Sequence, residues 1–378
     1  MSENTVQYPI RVLNLFTIMD RGGAETMVMN YYRHIDRTKV QFDFLVHREQ
    51  RGAYDDEIEA LGGRIYRMYP IYPQNFARYK RDIRTFFKAH PEYRIIHSHM
   101  SELGYFAFRE AAKQGVPVRI CHAHNAPHGF DMKMIMRGYF KKHMMPYLTH
   151  LFMCGAESGR WLYGKENESR FIMLNNAIDA AAYTYNPAKR AEMRQQLGLA
   201  DDELVIGHVG RFNPQKNHPF LLKIFAALLE KEPNAVLLLV GGGNDMPKIQ
   251  AKAQELGIAE RVRFLGVRSD VADLMQAMDV FVFPSLYEGL PVTMVEAQAS
   301  GLPCLISDKV PPECVLTKGL VEAIPLSESP NIWAEKILAK RGTPRTDRRA
   351  EIAAHGFDIT TEAEKLQEFY ISAYEQNN

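Results

Sequence analysis

The chain has 378 residues but only four cysteines, Cys121, Cys154, Cys304 and Cys314, and none sits at the close spacing of a metal or redox pair. This excludes a disulfide-stapled scaffold and suits a reducing compartment. No apolar run approaches the roughly 20 residues that cross a bilayer as a helix. The opening segment, Met1 to Pro9, lacks the basic patch and apolar stretch of a secretory leader, so a cytoplasmic location is expected. The spacing G-x-G-x-x-G is absent, which removes the dinucleotide fingerprint. Neither half is strongly basic and there is no nucleic-acid recognition motif, so nucleic acid is excluded as a partner. There is no low-complexity segment and no short-period repeat.

What is present is a soluble globular profile, 46% hydrophobic and 24% charged, on a chain long enough for two domains. Short β-rich runs alternate with amphipathic stretches. The first half offers Arg11–Thr17, Gln41–Val46, Arg64–Tyr66, Ile95–His97, Val118–Ala123, His150–Met153 and Phe171–Leu174. The second offers Leu204–Val209, Ala235–Val240, Val262–Leu265, Val280–Phe283, Cys304–Ser307 and Val321–Ile324. Runs such as Val236–Val240 are apolar at every position, as in a parallel strand covered by helices on both faces. The rhythm is that of an α/β doubly wound fold occurring twice. The break falls near Asn176–Pro187. The expected division is residues 1–180 and 181–359, with a terminal helix at about 360–378 packing back on the first domain. Two such domains facing each other would leave a cleft at the carboxyl ends of their strands, where ligands bind.

Four groups of residues carry candidate chemistry. Glu288-Gly289-Leu290-Pro291 and Glu296 follow the strand Val280–Phe283, with Pro291 placed to open a helix. A helix N-terminus there takes an anion, and the carboxylates take hydroxyls. The plain alternative is a solvated loop Glu and an exposed helix Glu. Gly210-Arg211 through Lys216-Asn217 follows the strand Leu204–Val209 and precedes a helix expected over His218–Lys231 with Asn217 as its cap. Two cations before a helix suit a diphosphate, although basic loops are common. Gly22-Gly23 after the first strand, and Gly241-Gly242-Gly243 after a later one, permit close backbone approach. His97, His99, His122 and His124 alternate at two strand ends. With no Cys or carboxylate at metal spacing, they read as hydrogen-bonding groups lining a cleft rather than as metal ligands.

Taken in order, these residues resemble the family-4 retaining glycosyltransferases of bacterial surface-polysaccharide type, which have the GT-B fold of two Rossmann-like domains. The resemblance covers nearly the whole chain. It rests on Gly22-Gly23, on His124 after Pro117–Ala123, on Asn176-Ala177-Ile178-Asp179 with Ala in place of the usual Gly, on Gly210–Lys216, and on Glu288–Glu296 with Gly289-Leu290-Pro291 intact. Val262–Gly266, containing Phe264, matches the stretch beside the nucleotide base. The resemblance implies a nucleoside-diphosphate sugar, most commonly of uridine diphosphate, held mainly by the second domain. Arg211 and Lys216 would stabilise the departing diphosphate together with backbone N–H groups at Gly22-Gly23. Glu296 would hold the ribose, Glu288 a sugar hydroxyl, and His124 the sugar near the reacting centre. No Asp-x-Asp pair occurs, so no metal and no other cofactor is expected.

The acceptor, a glycan or a lipid-linked glycan, is expected on the first domain. The basic stretch Phe130–Met145, with Lys133, Arg137, Lys141 and Lys142, and the cluster Arg78, Lys80, Arg81 and Arg84, fit either peripheral membrane contact or a helix with a Met-lined core face. Two other readings use the same fold: a nucleotide-sugar epimerase, which needs no acceptor, and a non-catalytic binding member.

Overall fold

The computed structural model describes residues 9–124 and 134–377. It divides into two compact units. The first is Met1–Ala177 with Ile359–Asn378, and the second is Ile178–Asp358. The boundary falls inside the Asn176–Pro187 break. Ala177, which stands where the family has Gly, is not among the residues with positive φ, so its side chain costs no backbone strain.

The first unit holds a seven-stranded parallel sheet. Its strands are β1 (Ile10–Phe16), β2 (Val40–Val46), β3 (Ile65–Arg67), β4 (Ile95–Ser98), β5 (Val118–Ala123), β6 (His150–Met153) and β7 (Phe171–Met173), in the order β3-β2-β1-β4-β5-β6-β7. The second holds six: β8 (Val205–Val209), β9 (Val236–Val240), β10 (Val262–Gly266), β11 (Val280–Phe283), β12 (Cys304–Ser307) and β13 (Val321–Ile324). Their order is β10-β9-β8-β11-β12-β13. Helices cover both faces of each sheet, giving paired cores around Phe42 and Phe106 in the first unit and Leu237 and Phe281 in the second. In each sheet the chain reverses its direction of travel once, between β1 and β4 and between β8 and β11, and the loops on either side of such a point part to leave a crevice.

The terminal helix Ile359–Glu375 belongs to the first unit. Its Leu366 and Tyr370 join the core of β1 and β2, and Gln367 accepts from the Asp36 backbone at 2.7 Å. On the helix Met134–Met144, Phe140 and Met144 are buried and Met136 is half-buried. Of its cations, Lys133 lies outside the described residues, Arg137 pairs with Glu102 at 3.2 Å, Lys141 lies over the Trp161 ring at 4.1 Å and Lys142 is exposed.

Two local expectations need correction. Asn217 does not cap the helix His218–Leu229 with its side chain. It sits in the left-handed region at φ +54°, and its amide donates to the Pro284 carbonyl at 3.1 Å. With its backbone left-handed, the Asn217 side chain latches two loops instead of capping the helix. The helix near Glu296 runs over Val292–Ala299, so Pro291 precedes it rather than opening it.

The three glycines after β9 are shaped by close packing. Gly241 and Gly243 have φ of +140° and +148°, and a Cβ on Gly243 would stand 2.4 Å from the Phe212 carbonyl oxygen. Phe212 in turn donates its N–H to the Gly242 carbonyl at 2.8 Å. Gly243→Ala should therefore destabilise the second unit by about 2 kcal/mol through strain and collision, read as a lowered urea midpoint. An unchanged midpoint would mean that this loop packing does not bear on stability.

Candidate functional site

In the second unit the two motif loops leave the adjacent strands β8 and β11 at the switch point and are tied together. The Lys216 ammonium donates to Glu288 Oε1 at 2.7 Å, with only 13% and 5% of the two side chains exposed. Gln215 Nε2 donates to Glu288 Oε2 at 3.0 Å and to the Tyr287 carbonyl at 3.1 Å, and Leu286 N–H donates to the Gln215 carbonyl at 2.8 Å. Both carboxylate oxygens of Glu288 are thus held from the Gly210–Asn217 loop. The Lys216 ammonium also lies over the Phe283 ring at 4.4 Å, a cation–π contact. A Cβ on Gly210 would stand 3.2 Å from the Lys216 methylenes and the His208 ring and would crowd both.

Arg211 is exposed and has no hydrogen-bond or ion-pair partner among the described residues, so its guanidinium is open to a ligand. Gly289 is exposed, and nothing lies within 4 Å of where its Cβ would be. Leu290 packs against both neighbouring cores, and Phe264 lies 6.0 Å from the Phe212 ring. Glu296 is half-buried, and Tyr183 Oη donates to its Oε1 at 2.8 Å. Burial raises the Glu296 carboxyl above its ordinary range and the Tyr183 hydrogen bond lowers it in part. Tyr183 stands on the short helix Ala180–Tyr183, whose first turn is capped by Asp179. The linker signature therefore places a phenol against the second carboxylate of the motif.

In the first unit, the histidines of β4 and β5 stack. Side chains two apart on a strand share a face, and the two pairs stand on adjacent strands. Ring centroids are 4.2 Å apart for His122 and His124, 4.4 Å for His97 and His99, and 4.4 Å for Phe16 and His99. The expectation of four cleft-lining histidines is corrected: His97 and His122 are fully buried, while His99 and His124 are half-buried. His97 Nδ1 meets the Tyr370 hydroxyl of the terminal helix at 2.7 Å.

A polar chain runs outward from the sheet. Asn14 Oδ1 stands 3.4 Å from His99 Nε2, and His99 Nδ1 stands 2.9 Å from His124 Nε2. With Asn14 Oδ1 accepting from His99 Nε2–H, His99 Nδ1 accepts from His124 Nε2–H. His124 Nδ1 then carries a lone pair, able to accept from a hydroxyl. Burial holds the His124 imidazole down at about 4 and His97 at about 3. It also pushes His99 and His122 well below the ordinary value, helped by the neighbouring rings. His97, His99 and His122 bring ring nitrogens within 4.8 Å of one another, a spacing open to a transition metal, for which three imidazoles can serve as the ligand set. Gly22 and Gly23 begin the helix Gly23–His34. The Glu25 carboxylate folds back against Gly22, where an added Cβ would meet it at 2.2 Å, while the space beside Gly23 is open.

Two doubly wound parallel sheets, each with polar side chains gathered at its switch point, define an α/β protein that handles ligands at the carboxyl ends of its strands. Residues 189–338 match the family described as glycosyl transferases group 1, and residues 22–160 match the glycosyl transferase 4-like domain. The chain is 40% identical to EpsF of Bacillus subtilis (strain 168), itself a glycosyltransferase by assignment, over 97% of this chain and 98% of that protein. It is 26% identical over 74% of its length to an Escherichia coli galactosyltransferase named for UDP-Gal and a GlcNAc-diphosphoundecaprenol acceptor, covering 76% of that protein. HepE of Anabaena, solved with UDP, superposes with a TM-score of 0.78 at 20% identity, over 96% of this chain and 100% of that one. The chain belongs to the glycosyltransferases of family 4 and has the GT-B fold. Among the described residues no helix is long and apolar enough to cross a membrane.

Tyr183, Gln215, Asn14 and Tyr370 escaped the sequence reading. Their partners lie 113, 73, 85 and 273 residues away in the chain, so no local spacing signals them.

The buried imidazoles link stability to pH. Each takes up a proton near 6.5 when unfolded, but His124 and His218 do so near 4 and His97 near 3 when folded. The unfolded state therefore binds more protons between those values, and stability falls as pH falls through that window. Urea midpoints should be flat above about pH 7 and decline below about 6.5, with a slope of at least about 1.4 kcal/mol per pH unit. A flat profile down to pH 5 would mean that the histidines protonate freely in the fold.

Proposed function

We propose that this glycosyltransferase moves a sugar from a UDP-sugar to a glycan or lipid-linked acceptor in polysaccharide synthesis, with retention of anomeric configuration and without a metal. The observation that carries the donor assignment is the Lys216–Glu288 pair, which brings the two family motifs together at the switch point of the second sheet. UDP is bound in the HepE structure and is part of the donor named for the Escherichia coli relative. That relative's acceptor is carried on diphosphoundecaprenol, and CapH of Staphylococcus aureus, 24% identical over 96% of this chain and 99% of that protein, is named for capsular polysaccharide biosynthesis.

In this reading the second unit binds the donor. Arg211, which has no other partner among the described residues, forks the diphosphate, and Lys216 is drawn from Glu288 toward it on binding, where it meets the charge that builds on the leaving group. Glu296, positioned by Tyr183, accepts from the ribose hydroxyls, and Phe264 lies beside the base. Glu288, released from Lys216, accepts from a sugar hydroxyl, while Gly289, Leu290 and Pro291 set the loop that presents it. On the first unit, His124 accepts from a sugar hydroxyl, and the N–H groups at Gly22 and Gly23 face the anionic part. The acceptor attacks from the face the diphosphate leaves, and the departing phosphate oxygen takes its proton. Peripheral membrane contact would run through the exposed Lys142 side of the first unit.

If cationic side chains alone carry the diphosphate, turnover should persist in excess EDTA. Complete loss restored by magnesium or manganese would overturn that mechanism.

The pairing also separates the two glutamates. Glu288 holds Lys216 when no donor is bound, so Glu288→Gln frees a cation for the diphosphate. Calorimetry should show free UDP binding more tightly, by up to about tenfold, while turnover drops. Glu296→Gln removes a ribose contact and should weaken free UDP by about tenfold or more. Equal weakening of UDP by both substitutions would overturn these roles.

A further inference from the structure

The helices Phe76–Ala89, Tyr105–Lys113 and Met134–Met144 of the first unit enclose a pocket of about 490 Å³ that no part of the donor reading uses. Its size is that of a small-molecule site. The walls are aromatic, including Phe76, Tyr105, Phe106 and Phe140, and two cations, Lys80 and Arg109, complete the lining.

Neither cation has a carboxylate partner among the described residues. Lys80 lies over the Phe106 ring at 5.4 Å. Arg109 reaches only the Tyr105 hydroxyl, at 3.4 Å, and its buried Nε has no acceptor. The nearby carboxylates are committed elsewhere. Glu110 is held by Arg84 at 2.8 Å and Lys113 at 3.3 Å, and Glu102 by Arg137. A buried donor without an acceptor is costly, so Arg109 calls for an anion, and half-buried Lys80 adds a second positive charge in the same lining. The aromatic walls call for an apolar chain attached to that anion. Tyr105 and Phe106 follow His99 after the short turn Ser101–Gly104, which puts the pocket on the sheet edge that carries the histidine chain.

We propose that this pocket binds the lipid-phosphate part of the acceptor, with Lys80 and Arg109 on the phosphate and the aromatic walls on the isoprenoid or alkyl chain next to it. This rests on the lipid-linked acceptor reading. It also differs from adhesion to a membrane surface, because a concave site takes one molecule and saturates, whereas a charged face takes vesicles in proportion to their charge.

The test uses the full chain and farnesyl phosphate below its micelle concentration, followed by calorimetry. Saturable binding is expected, with farnesol and inorganic phosphate each weaker by about tenfold or more. Lys80→Glu and Arg109→Gln should each weaken farnesyl phosphate by about tenfold while leaving the melting temperature and UDP affinity unchanged. Lys142→Glu, exposed on the same wall helix but outside the lining, should leave farnesyl phosphate affinity as it was. The proposal is overturned if farnesyl phosphate binds no better than inorganic phosphate. It is equally overturned if Lys142→Glu weakens binding as much as Lys80→Glu, or if anionic vesicles bind while farnesyl phosphate does not. UDP titrated into the same samples keeps the two readings apart. Wild-type protein that ignores UDP but binds farnesyl phosphate would sink the donor assignment and leave the pocket standing.

Discussion

A parallel strand covered by helices on both faces can offer chemistry only at its ends, and this constraint organises both units. The strand interiors are consumed by packing: all five residues of β8 and of β9 are buried. Polar function is therefore pushed to the loops that leave the carboxyl ends, and it concentrates where the chain turns back on itself. In the second unit β8 and β11 are neighbours in the sheet although β9 and β10 lie between them in the chain. Their exit loops meet, and the Lys216–Glu288 pair with Gln215 holds them in register. The close approach of Gly241 and Gly243 to the Gly210–Phe212 backbone fixes the first of those loops from below. Without side-chain-free positions there, Arg211 and Lys216 would stand elsewhere.

Much of this architecture was legible because it is periodic. A buried parallel strand such as β9 announces itself as a short continuous apolar run, and every strand in both sheets falls on a segment read as β-rich, with ends displaced by a residue at most, although β2, β5 and β13 carry polar residues inside. The motif residues were legible as well, since a loop between a strand and a helix has a fixed place at the sheet edge. What periodicity does not encode is who meets whom. Asn217 looked like a helix cap by type and position, but its left-handed backbone turns the amide toward Pro284. The His pairs looked like cleft residues, but adjacent strands stack them and bury half of them. Tyr183 lay in a stretch read only as a linker, and its hydroxyl is what holds Glu296.

The two units solve different electrostatic problems. In the second, positive charge is kept at the switch point in two states. Arg211 has no partner among the described residues, while Lys216 is stored against Glu288 and over an aromatic face. A stored cation avoids the cost of an unpaired, nearly buried ammonium when no ligand is present. In the proposed reading, diphosphate and Glu288 compete for one ammonium, so donor binding and the release of Glu288 are a single event. Under the proposed reading, the carboxylate meant for the sugar becomes available only once the diphosphate has taken its counter-ion.

In the first unit the side chains at the corresponding edge are kept neutral. Burial depresses the imidazoles far below neutrality, with repulsion from neighbouring rings adding to it at His99 and His122, and the Asn14–His99–His124 chain orders their protons without adding charge. A neutral ring suits a sugar whose anomeric carbon becomes cation-like, because a protonated imidazole close by would oppose that charge, whereas a lone pair on His124 Nδ1 does not. Under the proposed reading, the second unit supplies cations for the leaving diphosphate and the first supplies neutral acceptors for sugar hydroxyls. The burial that makes the histidines neutral is supplied by the same packing that builds the sheet.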